Sequence, residues 1–482
     1  MNTAKAGATL SSQKGIGQVK RLPILISLII GAFFTMLNET LLTVAFPKLM
    51  VELDVTASKL QWVSTGYMLV VAVLIPASAL LIQWFTTRQM FLGAMTLFII
   101  GTLVCGIAPQ FSVLLIGRVL QAVGTGLMMP VLMNTILVLY PPEERGAAMG
   151  SLGLVMMFAP AIGPTLSGLI LEVLEWRWLF FLVLPFAIFS IVFAFIFLKN
   201  VSEPSKPRVD TLSILLSTIG FGGIVYGFSS SADLGWGSPI IYGTSLAGII
   251  ALVLFVIRQL RIKEPLLELR VFKHRMFSLT TILLFIMTMT LFSATSLLPF
   301  VLQGALGLTV FATGLLMLPG GLLNGLISPI MGKLFDRIGP RRLIIPGTGI
   351  IAIIMWCLTQ VTVETSKLTF LLLHICLMVA LTMILVPAQT NGMNQLPRQY
   401  YPHGTAILNT LQQVAGAIGV ALFISVMTSG QRSFLAQSAD PNTQIPEAIV
   451  AGVHNAFLIG FGFAVLAFIV ALFTKRSQAP EE

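Results

Sequence analysis

The sequence predicts an all-α integral membrane protein with fourteen spanning helices, and three observations carry that prediction. The 482 residues are 56% hydrophobic and 10% charged, with a mean hydropathy of +0.95, which leaves too little polar side chain to cover a water-facing surface. The apolar residues fall in long unbroken runs, each close to the ~20 residues a helix needs to cross a bilayer. Those runs lack the alternation of a membrane β-barrel, and in lipid only helices and closed barrels satisfy their own backbone polar groups.

In chain order the expected spans are 22–46, 61–82, 91–107, 112–139, 146–171, 178–198, 211–229 and 239–257, then 277–302, 309–331, 343–363, 370–390, 405–427 and 454–473. An even number puts both termini on one side. Lys48, Lys59, Arg177, Lys367 and Arg432 fall in loops on the opposite side, whereas every other Lys and Arg except Arg118 falls on the side of the termini. That asymmetry makes the terminal side cytoplasmic. The net charge of +10 is therefore a topology signal spread over short loops, and it argues against a nucleic-acid partner.

The first run has no small-residue cleavage site and reads as an uncleaved span. It also holds Glu39, alone among the eighteen acidic residues in lying inside a spanning stretch. A carboxylate there is costly unless it faces protein or water, so its default reading is a proton or ion site. Thr35, Glu39 and Thr43 recur every fourth residue and share a helix face. In the fourth span Arg118, Gln121 and Thr125 form a second polar stripe. A guanidinium inside the membrane demands a partner; the alternative to a proton-transfer role is a structural Arg bonded to backbone carbonyls. In the fifth span Pro160 and Pro164, four apart, would bend the helix, while Ala159, Gly163 and Gly168 allow close packing against a neighbour.

Residues 329–342 repeat residues 76–88 at an offset that puts Asp336 opposite Gln83, which makes spans seven and eight an insertion between two sets of six. The expected division is a tail at 1–21, a six-helix bundle at 22–200, an inserted pair at 201–262, a second bundle at 263–474 and a tail at 475–482. An Asp close to a helix start can accept from exposed backbone N–H groups, and Arg337, Arg341 and Arg342 would tie adjacent loops together. In the first copy Gln83, Thr86 and Arg88 are expected to form only a turn with topogenic charge.

Cys105, Cys357 and Cys376 are scattered through spans, without metal-site or disulfide spacing. No Walker A string is present, so no cofactor is expected and the energy source is an ion gradient. A pocket for a lipophilic substrate would draw on Trp62, Tyr67, Asn324, Gln389, Asn391 and Gln412; His374 reads as structural. The basic connector 258–276 is either a linker or a segment lying on anionic lipid. Residues 429–453 form the longest external loop, with a turn at Asp440-Pro441-Asn442.

These motifs resemble those of the major facilitator superfamily, in its fourteen-helix drug:proton antiporter branch. Gly332, Asp336, Arg337, Gly339 and Arg341 match its G-x-L-x-D-R-x-G-x-R-R loop. Arg118 and Gln121 match its R-x-x-Q string, and Ala159 to Gly168 resemble its antiporter motif. Leu37-Asn38-Glu39-Thr40 resembles the branch's L-D-x-T signature, with Asn38 at the Asp position and the acid displaced by one residue, about 100° around the helix. The resemblance implies the major facilitator fold and alternating access, with Glu39, Arg118, Asn38 and Gln121 coupling protons to export of small lipophilic drug-like compounds, neutral or monocationic. It implies a monomer in a bacterial plasma membrane, driven by the proton motive force. Export of an endogenous metabolite or lipid, and a non-transporting sensor on the same scaffold, are the alternatives.

Overall fold

A computed structural model describes residues 21–42, 45–55, 57–200, 210–234, 237–437 and 444–477. Fourteen helices among the described residues are long and apolar enough to cross a membrane. The first six spans are α1 (Arg21–Leu41), α3 (Ala57–Trp84), α4 (Thr87–Gly106), α5 (Phe111–Leu139), α6 (Arg145–Val173) and the pair α7 (Trp178–Phe181) and α8 (Val183–Phe197). A short α2 (Phe46–Glu52) follows α1. Then come α9 (Thr211–Leu234) and α10 (Pro239–Arg261). The last six are α11 (Arg275–Pro299), α12 (Val310–Ile338), α13 (Arg341–Thr359), α14 (Lys367–Asn394), α15 (Tyr401–Gln437) and α16 (Ile445–Leu472).

Local chemistry sets several boundaries. Thr86 and Gln89 form a reciprocal capping box at the start of α4, so the first-half turn is held by its own side chains. Ser366 caps α14 by accepting from the Thr369 amide. Gly339 ends α12 at a φ of 80°, where a side chain would be strained.

Two expectations are revised. Helix α1 stops at Leu41, short of residue 46, and Thr43 lies outside the described residues. Most of the 429–453 loop is helical, because α15 continues to Gln437 through Ala, Leu and Gln without a Pro. The expected turn at Asp440-Pro441-Asn442 and the tails 1–20 and 478–482 are outside the described residues. Helix α6 runs unbroken from Arg145 to Val173 through both proline positions.

Both described chain ends share one face: Arg21 pairs with Glu144 at 2.9 Å and the Ser477 amide donates to Asn391 Oδ1. On this face α6 and α12 approach backbone to backbone. A methyl group added at Gly150 would sit 2.6 Å from Pro329 Cα, Gly153 lies against Ser328, and Gly146 and Gly332 each meet the other's carbonyl. Only glycine permits that approach. The inserted α9 packs on α10 through Gly220, Gly223 and Gly248. Its other side meets both sets of six, with Ile224 and Val225 in one apolar cluster with Ala72 of α3 and Val414 of α15.

Candidate functional site

Arg118 is 1% exposed and is the centre of a polar cluster inside the first six spans. Its guanidinium donates to Asn38 Oδ1 at 3.2 Å, to Gln121 Oε1 at 3.0 Å and to the Val63 carbonyl at 3.4 Å. It also lies over the Tyr67 ring, 4.1 Å from the centroid. Gln121 passes the network on, donating to Thr102 Oγ1 at 2.7 Å. The Tyr67 and Thr125 hydroxyls interact with each other but outside standard hydrogen-bond geometry, leaving both under-satisfied. Thr102 was not legible as a member, since nothing in the third span marks one threonine over another.

Glu39 is one residue beyond Asn38, is only part-buried, and interacts electrostatically with Arg118 and Tyr67 without forming a direct ion pair with the guanidinium. The neighbouring Thr40 packs against Gly163 of α6. A neutral amide therefore meets the guanidinium, and the carboxylate stands beside it. At 1.5 Å per residue Glu39 lies about 27 Å along α1 from the terminal face. It sits towards the opposite face because Asn38 and Arg118 both belong to that end of their helices.

At the terminal face the repeat-derived residues cross between the two sets of six. Asp336 accepts from the backbone amides of Gly146 at 2.9 Å and Ala147 at 3.0 Å, capping the exposed N–H groups of α6. Arg145 donates to Asn394 Oδ1 at 3.0 Å and lies over Tyr401. Arg337, Arg341 and Arg342, expected to tie adjacent loops together, are exposed and make no ion pair among the described residues, and Arg476 donates to the Asp336 carbonyl. Their long side chains reach water more cheaply than a fixed partner. The first copy does more than turn the chain, because Gln83 meets His403 Nε2 of α15 at 3.3 Å. The alignment of Gln83 with Asp336 was the signal for this contact.

The six pocket residues do not converge. Tyr67 supports Arg118. Trp62 faces the Tyr226 ring of α9, Asn324 donates to the Met378 carbonyl, and Asn391 bonds Lys475 and Ser477 at the terminal face. Gln389 donates to Met133 Sδ across the two halves at 3.4 Å, and Gln412 is part-buried without a hydrogen bond among the described residues. His374 is buried against Gly320.

Residues 28–420 match the Major Facilitator Superfamily. The chain is 50% identical over 471 residues to the "Lincomycin resistance protein LmrB" of Bacillus subtilis (strain 168), covering 97% of this chain and 98% of that protein. It is 48% identical over 463 residues to the protein of the same name in Listeria monocytogenes, covering 96% and 98%. Among solved structures, the proton:xylose symporter XylE superposes with a TM-score of 0.64 at 14% identity over 95% of this chain and 96% of that one. At that identity the likeness speaks for the fold alone.

Proposed function

The chain belongs to the Major Facilitator Superfamily and is a multi-pass membrane transporter, not an enzyme; from that premise we propose that it exports lipophilic drugs, lincosamides among them, in exchange for protons taken up by Glu39. Half-identity to proteins named for lincomycin resistance supports the substrate class. The observation that carries the coupling is Glu39, a part-exposed carboxylate one residue from the amide that grips a buried guanidinium.

The proposed chemistry is competition for one charge balance. With Glu39 ionised, its charge offsets that of Arg118 and the site accepts a neutral or monocationic drug. With Glu39 protonated, the guanidinium stands uncompensated in a medium of low dielectric and disfavours a cation. Asn38, Gln121 and Tyr67 keep Arg118 in place through both states, so protonation changes the field without moving its source. The contacts between α6 and α12 close the terminal face, taken as cytoplasmic from the loop charges. Export then requires that this seam open to admit drug and shut again before proton entry.

The test is dye and lincomycin transport in inside-out vesicles under an imposed pH gradient. Wild type is expected to accumulate substrate until a protonophore is added. Glu39→Gln, which fixes the neutral state, is expected to bind a cationic drug more weakly than wild type and to lose gradient-driven accumulation by at least tenfold. Normal accumulation in that variant refutes the coupling role, and no transport by wild type refutes the export reading.

A further inference from the structure

On the terminal face, two grooves open beside the start of α11 and the end of α16, far from Glu39. They share Arg275 and Phe473 and so form one continuous cleft with two unlike arms. The larger arm, about 510 Å³, is walled by Phe272, Leu279, Ile282, Val470 and Phe473. The smaller, about 350 Å³, is walled mainly by polar groups, including Lys475, Arg476 and Ser477. Apolar and cationic surfaces thus meet at the depth where a spanning helix leaves the membrane.

The cations there are uncommitted. The side chains of Lys273, Arg275 and Lys475 are exposed and make no hydrogen bond, ion pair or ring contact among the described residues. The nearby carboxylates are engaged elsewhere: Glu268 with Arg270 at 3.6 Å, and Asp336 with the amides of α6. The first amides of α11 are also taken, since Gln395 Oε1 accepts from Met276 and Phe277. An anion in the polar arm would therefore be held by side chains. The Ser477 hydroxyl adds a donor there, shut off from solvent and without a partner among the described residues. Three free positive charges above an apolar trough complement an anionic head carrying acyl chains, and not a soluble anion, which has no use for the trough.

We propose that this cleft binds one anionic phospholipid, its phosphate held by Lys273, Arg275 and Lys475 and its acyl chain lying along Phe272, Ile282 and Phe473. The lipid would tie the connector ahead of α11 to the end of α16, fixing the last six spans at the membrane surface. The inference is independent of drug export, and its test reads lipid binding alone.

The full chain in a neutral detergent is titrated with phosphatidylglycerol, and bound lipid is counted by native mass spectrometry. Wild type is expected to hold one phosphatidylglycerol in preference to phosphatidylcholine. The triple variant K273Q/R275Q/K475Q is expected to weaken that binding roughly tenfold or more. The charge-matched K199Q/R261Q/K263Q should stay within about twofold of wild type. Phe473→Ser, which keeps every charge, should also weaken binding; it and Lys273→Gln alone serve if the triple variant does not fold. Equal binding of phosphatidylcholine, equal loss in the charge-matched variant, or displacement of the lipid by free glycerol 3-phosphate overturns the proposal.

Discussion

Arg118 holds Asn38, Gln121 and the Val63 carbonyl while lying on Tyr67. A planar guanidinium can do this and a lysine ammonium cannot, since it lacks the fork and the flat face. Arg118→Lys keeps the charge and loses the geometry. The expected outcome is a variant that inserts normally but transports at least tenfold more slowly in the vesicle assay; transport at the wild-type rate would contradict the positioning role. Membrane cost made Glu39 and Arg118 legible from sequence, since each is a charge in an otherwise apolar run. Their arrangement was not legible. A shift of one residue decides whether an amide or a carboxylate meets the guanidinium, and only the rotation of α1 against α5 fixes it.

At the scale of elements, α6 and α12 are the moving seam of the account. Asp336 accepts from two otherwise orphaned amides of α6, a contact of the helix-capping kind worth about 0.5–2 kcal/mol. Asp336→Ala should shift the closed terminal face towards open by roughly two- to thirtyfold in population. Spin labels at the exposed Glu143 and Arg342 would read this as a longer distance component, and an unchanged distance distribution would contradict it. The inserted pair offers a second check. Arg258 donates to both carboxylate oxygens of Asp210, at 2.7 and 2.9 Å, and holds that carboxyl down at about 2 against an ordinary 3.8. Because the folded value is the lower one, the pair's stabilisation is complete above about pH 4 and fades as pH falls through 2. The difference in melting temperature between wild type and Asp210→Asn should therefore shrink between pH 4 and pH 2; a difference that is constant or grows on acidification would contradict the pairing. The repeat at residues 76 and 329 announced this seam, yet the arginines it highlighted reach solvent, and backbone amides took their place.

For the whole molecule, apolar run length and loop charge sufficed for fourteen helices, because lipid leaves the backbone no other solution. What sequence did not convey is where faces meet. The crossing of α9 over the α3 and α15 seam depends on shape, as do the scattered positions of the pocket residues. The central claim is that drug and proton exclude one another at Glu39, and thermodynamic linkage makes it measurable without transport. The measurement is calorimetric titration of the purified protein with a cationic dye near neutral pH, in two buffers of different ionisation enthalpy. The account predicts that dye binding releases protons from wild type and that Glu39→Gln binds the dye more weakly and without release. A binding enthalpy that is the same in both buffers for wild type, or proton release that persists in the variant, would contradict it.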